Sequence, residues 1–355
     1  MKIAVYAIAK NEEKHVNRFM DSVKDADEII IGVDVDSSDN TKELLIECGA
    51  KVIDFNVSPF RFDTARNAVL DAIPNDIDVC VSLDMDEVIE SGWRDEIEKL
   101  WKSDLTRILY KYVINWQDKD KTKPLKIIHG FRIHRRHNVK WVLPIHEYLE
   151  LPNGERENEV FAENIVVKHY PDETKERNYL GMIDEALKTE SDKPWLWYTR
   201  TRQSFNESKF DVAIESAHKF LESTKAYGTY AEQRSECCRL IARAMFTKKQ
   251  LHKIDDNGQV QLWFLRAVSE WAMQRENWVY LAESWMFLGN LPSAYAAAVN
   301  AINCNDRRFS SEVEEICWND NHLYDIINHC LLKILPPLQE QGLNRQQKRT
   351  LERVK

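Results

Sequence analysis

The chain has 355 residues, of which 43% are hydrophobic and 30% are charged, and its formal net charge is −9. This length predicts two domains, and the hydrophobic content excludes an intrinsically disordered chain. The acidic balance disfavours broad binding to nucleic acid or to an anionic membrane, but it leaves room for a local basic cleft.

The first half of the chain alternates between apolar runs typical of strands and amphipathic stretches typical of helices. Short connections between them indicate parallel β-α-β units, in which ligands bind at the carboxyl ends of the strands. Asp34 ends the second predicted strand and Asp84 the fourth, so we expect both side chains at the same edge of the sheet. The predicted strands are 2–9, 28–34, 50–56 and 76–84, and the predicted helices are 11–23, 37–49 and 62–73.

From 107 to 170 the pattern changes to β segments without strong helices between them, which we expect to extend the sheet and to wall a cleft. No strand pattern remains after that point. Two later stretches repeat one layout, an aromatic-rich helix, a polar turn near Asn206–Lys209 or Gly289–Pro292, and an alanine-bearing helix. This layout resembles tetratricopeptide helical hairpins. The sequence therefore predicts an α/β domain at 1–170 and an all-α helical-hairpin domain at 171–355.

The cysteines and the apolar runs bear on the cellular compartment. The seven cysteines include no C-x-x-C pair, and no apolar run approaches the roughly 18 residues that a membrane span needs. The N-terminal stretch "MKIAVYAIAKNEE" is too short and too soon acidic for a signal peptide, so we interpret it as the start of the first strand. We therefore expect reduced thiols, no membrane span and a cytoplasmic location.

Residues 79–87, "VCVSLDMDE", end an apolar run on two acids that are one residue apart. Side chains at i and i+2 of a strand point the same way, so Asp84 and Asp86 would aim at one place if the strand continued. Carboxylates that close repel each other, so either a cation neutralises them or a loop turns them apart. An alternative is that the two acids cap a helix predicted within 87–100.

Four short motifs follow one another in the first half of the chain: "AIAKNEE" (7–13), "DEIIIGVDVDSSDNT" (27–41), "ARNAVL" (65–70) and "LDMDE" (83–87). Their order and spacing resemble those of inverting family-2 glycosyltransferases of the GT-A fold. Two further motifs are "PIHEYLE" (144–150) and "VVKHYP" (166–171). They resemble a subgroup related to lipopolysaccharide-core glucosyltransferases. The combination of such a domain with tetratricopeptide-like hairpins resembles peptide S-glycosyltransferases.

The resemblance implies a GT-A N-terminal domain, Rossmann-like with a mostly parallel sheet, that uses a nucleotide-diphospho-sugar with UDP as the expected nucleotide. It also implies that Asp86 ligates a divalent metal and that His169 completes the metal site. Glu147 is the candidate catalytic base, with His146 as the second choice, because inversion by direct displacement needs a group that takes the acceptor's proton. The residues expected at the nucleotide sugar are Ala7, Asn11, Glu12, Asp34, Arg66 and Asp84.

A metal cofactor agrees with the acidic pair, because Mn²⁺ or Mg²⁺ prefers oxygen ligands and neutralises a diphosphate leaving group. Asp39 either supports the turn after the second strand or caps the helix that follows it. The acceptor stays open between a glycan, a peptide side chain and a modified nucleobase. The helical half is expected to position the acceptor or a partner protein, or to mediate self-association.

Three interpretations compete with parts of this prediction. The basic run 131–141, "FRIHRRHNVKW", either binds a diphosphate or an anionic acceptor, or forms a solvated hairpin. A different function class is a non-catalytic scaffold that keeps a decayed transferase domain and binds peptides through its helical hairpins. Retention of both Asp84 and Asp86 argues against that scaffold. A nucleotidyltransferase also uses paired acids, but "AIAKNEE" lacks the glycine of a phosphate-binding loop.

Overall fold

The chain divides into two compact units, Met1–Ala186 and Leu187–Lys355. The predicted fold class is confirmed: the first unit is an α/β domain built on a mostly parallel sheet, and the described part of the second unit is helical. The sequence pattern places the change of class after residue 170, whereas the first unit extends through Ala186. The computed structural model describes residues 1–152, 155–172, 178–225, 230–252, 258–306 and 314–334.

The elements of the first unit follow the predicted alternation of strands and helices. Its strands are β1 (Ile3–Ala9), β2 (Glu28–Asp34), β3 (Lys51–Phe55), β4 (Val79–Ser82), β5 (Glu87–Ile89), β6 (Arg107–Trp116), β7 (Pro124–Arg135), β8 (Lys140–Val142), β9 (Tyr148–Glu150) and β10 (Glu159–His169). Its helices are α1 (Glu13–Val23), α2 (Thr41–Glu47), α3 (Phe62–Asp71), α4 (Trp93–Leu100) and α5 (Tyr179–Leu187).

Eight strands form one sheet in the order β3-β2-β1-β4-β7-β6-β10-β5. β1 lies between β2 and β4 and is parallel to both, and β2 is parallel to β3. β7 runs antiparallel to β4 and β6, and the short β5 pairs antiparallel with β10 so that His169 lies opposite Glu87. Parallel strands end at a common edge, so the loops after β1, β2 and β4 meet at the carboxyl edge of the sheet.

Helix α1 illustrates why these residues form this layer. Val16, Phe19 and Val23 recur at spacings of three and four residues, and all three are fully buried in the cluster that covers one face of the sheet. Val69 and Leu70 of α3 pack in a second buried cluster with residues of β1, β2 and β4. Each buried side chain of this size contributes about 1.5–3 kcal/mol to stability.

The segment after β4 differs from the sequence-based prediction. The strand expected to run to Asp84 ends at Ser82, and a turn leads into β5. Helix α4 begins at Trp93, with Gly92 at its N-cap in the left-handed conformation at a φ of +85°. The interpretation of Asp84 and Asp86 as helix caps is therefore wrong. β5 has three residues, too few for an alternation pattern, and it forms because β10 supplies its hydrogen-bonding partner.

The second unit confirms both predicted hairpins. The turn between α6 and α7 lies at 207–209, and the turn between α10 and α11 at 288–290, where Gly289 has a φ of +72°. Across the part of the chain that the structure describes, no helix has both the length and the apolar character that crossing a bilayer requires. The helices are α6 (Pro194–Asn206), α7 (Phe210–Ser223), α8 (Ala231–His252), α9 (Gln259–Glu270), α10 (Arg275–Phe287), α11 (Leu291–Asn303) and α12 (Asp320–Ile334).

Candidate functional site

Two loops at the carboxyl edge of the sheet are tied together by hydrogen bonds. After β1, Asn11 has a left-handed backbone with a φ of +54°, and its side-chain oxygen accepts a hydrogen bond from the Ser38 amide at 2.7 Å. The Asn11 amide donates to the Ser37 hydroxyl at 2.9 Å. The Glu12 amide donates to the Thr41 hydroxyl at 2.7 Å. Strained backbone of this kind occurs at binding sites, where surrounding contacts hold it in place.

Asp34 lies at the end of β2 and is 5% exposed. Its carboxylate accepts a hydrogen bond from Lys10 Nζ at 3.2 Å and another from the Asp36 amide at 2.9 Å. Lys10 also lies 3.7 Å from the Asp36 carboxylate. The nearly buried Asp34 carboxylate is therefore a fixed hydrogen-bond acceptor at the edge of the sheet where the sequence predicts contact with the nucleotide.

Asp39 performs both roles that the sequence left open. Its Oδ1 accepts a hydrogen bond from the Thr41 amide at 3.1 Å, and its Oδ2 accepts one from the Glu13 amide at 3.1 Å. Burial tends to raise the pKa of this carboxyl, but hydrogen bonds from Thr41 and Glu13 outweigh it and hold the pKa below its ordinary value. The carboxylate thereby joins the N-termini of α1 and α2, where negative charge is favourable.

Arg66 of α3 is the centre of a charged cluster beneath this edge. It is 1% exposed. Its Nε donates to Glu147 at 2.7 Å and its Nη2 to Asp84 at 2.5 Å. Its Nη1 donates to the Ser82 hydroxyl at 3.1 Å. Burial opposes the charged form, but Asp84 and Glu147 raise the pKa of Arg66 above its ordinary value. A buried guanidinium is tolerated only when it is paired, so Arg66 fixes the acidic motif relative to the Glu147 loop.

A second guanidinium, that of Arg132 on β7, extends the cluster. It donates to Asp84 through Nη1 at 3.0 Å and to Glu87 through Nη2. The Tyr112 hydroxyl also donates to Glu87, at 2.5 Å. Burial raises the pKa of Glu87, although Arg132 opposes the shift. Burial acts upward on Asp84 as well, but Arg66 and Arg132 hold the pKa of Asp84 well below its usual range.

The two acids of the Asp-x-Asp motif face different partners. Asp86 Oδ2 lies 3.3 Å from His169 Nε2, and the Asp86 carbonyl accepts a hydrogen bond from the Tyr170 amide at 2.8 Å. Burial tends to lower the pKa of His169, but its hydrogen bond to Asp86 raises it above the ordinary value. The loop thus turns the acids apart: arginines neutralise Asp84, and Asp86 is left facing an imidazole.

Asp86 and His169 bring together donor atoms that a divalent cation can use. Within the described ranges, no three His, Cys, Asp or Glu side chains come together as a metal cage. The pair nevertheless offers one oxygen and one nitrogen ligand 3.3 Å apart. Mn²⁺ and Mg²⁺ commonly keep positions for phosphate and water, so these residues fit an ion whose coordination a substrate completes.

The loop between β8 and β9 carries Glu147 and is both strained and clamped. Leu143 and His146 adopt left-handed conformations with φ of +81° and +53°, which cost about 1–3 kcal/mol each. Asn67 of α3 donates to the Trp141 carbonyl at 2.8 Å and accepts from the Trp141 amide at 2.9 Å. Adjacent residues of α3, Arg66 and Asn67, therefore hold the two ends of the segment that presents the candidate base.

Other predicted residues have a different place from the one the sequence suggested. Ala7 is fully buried in the core of β1, so its side chain packs against other apolar groups and does not line the edge. The basic run 131–141 does not form a solvated hairpin as a whole, and its binding of a diphosphate or an anionic acceptor stays a prediction. Arg132 lies in the charged cluster, His134 is fully buried, and Arg135 pairs with Glu155.

Sequence reasoning missed three contributors to the site, namely Glu87, Tyr112 and Asn67. Glu87 is the last residue of the motif 83–87, but only its full burial in the structure separates it from an ordinary surface acid. Asn67 belongs to the Arg-Asn motif, but the motif does not show that its amide pairs with a strand backbone. Such contacts join positions far apart in sequence, and no local pattern encodes them.

Curated relatives of the chain cover only part of it. Proteins from Rickettsia typhi and Rickettsia bellii, both named uncharacterized glycosyltransferase, are 32% and 34% identical to it over 102 and 103 residues. Each match covers 29% of this chain, and the chain spans 34% and 33% of the length of these relatives. No family model matches the chain.

Solved structures align only loosely. S. aureus TarS 1–349 aligns over 86% of this chain and 89% of its own, with 14% identity and a TM-score of 0.35. MamA aligns over 49% of this chain and 84% of its own, with 15% identity and a TM-score of 0.34. Alignments with scores this low carry no information about function.

Proposed function

We propose that the chain is an inverting glycosyltransferase whose first unit moves a sugar from a nucleotide-diphospho-sugar, with UDP as the nucleotide, to a hydroxyl or similar nucleophile. The Rickettsia relatives support glycosyl transfer over the matched stretch. The observation that carries the proposal is the buried Arg66, because one guanidinium joins Asp84 of the acidic motif to Glu147 on the opposite loop. The residues proposed for the sugar donor and for the sugar acceptor are thereby held at the same edge of the sheet.

The donor side of the proposal uses the carboxyl ends of β2 and β4. Asp34 accepts hydrogen bonds from the base or ribose, and Asn11 and Glu12 hold the loop against which the nucleoside lies. Asp86 and His169 would hold Mn²⁺ or Mg²⁺. When bound, the ion supplies positive charge that neutralises the departing diphosphate.

The acceptor side uses the loop between β8 and β9. Glu147 takes the proton of the incoming nucleophile as the new bond forms on the face of the sugar opposite the leaving diphosphate. Arg66, 2.7 Å from Glu147, keeps the carboxylate oriented, and the Asn67 clamp on Trp141 limits movement of the loop. His146 stays the second choice, one residue away in a strained conformation. Development of oxocarbenium character at the anomeric carbon favours carboxylates nearby.

For the second unit we propose recruitment of a protein that carries or delivers the acceptor. Stacked helical hairpins form extended surfaces of the kind that bind peptides. Leu262 and Leu265 of α9 are 56% and 44% exposed, and such side chains favour contact with an apolar partner. Binding of peptide libraries to residues 187–355 and to the full chain would test this assignment.

Calorimetry with UDP in the presence and absence of Mn²⁺ tests the proposed function. We expect UDP to bind far more tightly with the metal, because Asp86 and His169 would hold an ion whose charge offsets that of the diphosphate. Binding that is independent of metal would contradict the metal role, and the absence of any UDP binding would contradict the transferase assignment. A screen of donor hydrolysis across nucleotide sugars would then identify the sugar.

A further inference from the structure

A depression of about 450 Å³ opens between α1, the turn that joins β6 to β7, and the chain that follows β10. Four of its lining residues are cationic, Lys14, Arg18, Lys119 and Lys121, and one, Asp172, is acidic. The net charge of the whole chain is −9, so this concentration of positive charge is opposite in sign to the molecule that carries it. None of the motifs matched above accounts for it.

Among the described residues, only one of these four cations has a carboxylate partner. Lys14 pairs with Asp172. Within the part of the chain that the structure describes, no carboxylate pairs with Arg18, Lys119 or Lys121, and Lys121 and Arg18 contact neutral groups instead. Like charges that converge destabilise the fold unless an anion compensates them. This separates the depression from the Arg66 cluster, where carboxylates already pair both guanidinium groups.

The turn between β6 and β7 is held in a definite shape. Asp118 accepts hydrogen bonds from the Thr122 hydroxyl at 2.6 Å and from the Lys123 amide at 2.7 Å. Lys121 has a left-handed backbone with a φ of +53°, and its Nζ donates to the Pro171 carbonyl at 3.1 Å. The lysine is therefore already directed at the depression before a ligand arrives, which lowers the entropic cost of binding.

The opposite wall is built from stacked side chains. The Arg18 guanidinium lies 4.5 Å from the centre of the Tyr170 ring, and that ring stacks on Trp116 at 5.2 Å. Arg18 Nη2 also lies 3.0 Å from His15 Nδ1. The Tyr170 amide donates to the Asp86 carbonyl at 2.8 Å, so the depression borders the candidate metal pair.

We propose that this depression binds a phosphate group carried by the acceptor substrate. The assignment rests on the proposed function, because it names the chemistry of that acceptor. In the proposed function the donor diphosphate lies at Asp86 and His169, which would hold a metal ion that offsets its charge. The cations beyond Tyr170 therefore form a second anion position, suited to the three acceptor oxygens of a phosphate monoester. The donor diphosphate itself is the other source of such a group.

Inorganic phosphate is the probe for this proposal, titrated by calorimetry into the full chain without metal. The test variant is Lys119→Gln with Lys121→Gln, and the control is Lys123→Gln, which removes one charge from the same turn outside the depression. We expect phosphate affinity to fall about tenfold in the double variant, since two charge-assisted contacts are lost, and to stay unchanged in the control. Affinity for UDP with Mg²⁺ should stay unchanged in both.

A second titration separates the two sources of phosphate. Wild-type protein saturated with UDP and Mg²⁺ should still bind inorganic phosphate, because the two anions occupy different positions. Equal phosphate affinity in the wild type and the double variant would overturn the proposed site. A parallel loss of UDP affinity, or competition between UDP and phosphate, would assign the depression to the donor and overturn the acceptor role.

Failure of the proposed function gives a different result. If the wild type binds no UDP with Mg²⁺, the transferase assignment fails, and the acceptor role of the depression fails with it. A tenfold loss of phosphate affinity in the double variant would in that case still establish an anion site.

Discussion

Each unit buries an arginine among polar partners, but the two networks differ in where they lie. In the first unit, Arg66 joins Asp84 and Glu147, and the Asp84 side chain remains 36% exposed. In the second unit, Arg239 is 1% exposed and lies 3.6 Å from Glu314. A buried ion pair is therefore not by itself a sign of function. The Arg66 network points to a site because it lies at the carboxyl ends of parallel strands.

The largest difference in turnover between variants of the two units is expected for Asp86→Asn. Turnover should fall about 10⁴-fold, because the variant loses the proposed metal ligand, and such an ion contributes several kcal/mol in the transition state. The melting temperature should stay close to that of the wild type. Asp320→Asn removes a carboxylate paired with Arg275 in the second unit and should leave turnover unchanged. Full activity of Asp86→Asn, measured with saturating donor, would contradict the proposed role of Asp86 as a metal ligand.

Glu147→Gln should lower kcat about 10³-fold, because the amide cannot take the proton of the acceptor. Affinity for UDP with Mn²⁺ should not change, since the proposed function places Glu147 on the acceptor side. Steady-state kinetics and calorimetry on the same preparation would separate the two quantities. An unaltered kcat would move the base to another residue, with His146→Gln as the next variant to measure.

Replacement of the two buried arginines by methionine breaks the comparison most directly. Arg66→Met should destabilise the first unit by about 3–5 kcal/mol, because it removes the guanidinium that pairs with the nearly buried Glu147. Arg239→Met should cost the second unit less, because Glu314 keeps its contacts with Arg243 and Tyr280. Only Arg66→Met should also lower turnover and UDP affinity when measured below its unfolding transition. Arg66→Lys keeps the charge but cannot bridge both carboxylates, so it should fold and still lose turnover. Equal turnover in Arg239→Met and Arg66→Met would show that the location of Arg66 at the carboxyl ends of the strands has no effect on activity.

A third buried polar network, formed by Trp141, Tyr6 and His134 in the first unit, is uncharged. The Trp141 indole donates to the Tyr6 hydroxyl at 2.6 Å, and that hydroxyl lies 2.9 Å from His134 Nε2. His134 Nδ1 lies 2.7 Å from the Arg135 carbonyl, which can only accept, so Nδ1 carries the proton and Nε2 accepts from Tyr6. Burial lowers the pKa of His134 to about 4.

This histidine predicts the smallest effect, a pH dependence of stability. Between about pH 6.5 and pH 4 the unfolded chain binds a proton that folded His134 does not, so stability is lost as pH falls through this window. The loss should reach about 3 kcal/mol. Denaturant unfolding of the wild type and His134→Gln at several pH values isolates this contribution, because the carboxylates are common to both. Parallel stability curves would contradict the prediction.

The fold of the first unit was largely predictable because its signals are local. The strand 28–34 matches β2 in both bounds, and the helix at 62–73 differs from α3 only at its C-terminal end. β5 and the end of β4 were not predictable, because pairing with β10 decides them. The two helical hairpins were found for the same local reason, since a polar turn separates two apolar periodic stretches.

The candidate site was predictable only in its composition. Short motifs identified Asp34 and Asp86 near strand ends, and Arg66 on a predicted helix, as chemistry-bearing residues. They did not show that Arg66 faces two carboxylates and is buried, nor that Ala7 packs in the core. The direction of a side chain depends on which distant element covers it, and that information is absent from a single motif.

The sequence by itself determined the succession of strands and helices, the change of class along the chain, and the residues able to carry charge at the strand ends. These follow from periodicity and from the few conformations open to each local stretch. Only the tertiary structure decided which charges pair. Arg132 comes from β7 to neutralise Asp84, while Lys119 and Lys121 keep their charge beside Tyr170, because pairing depends on distances between segments far apart in the chain.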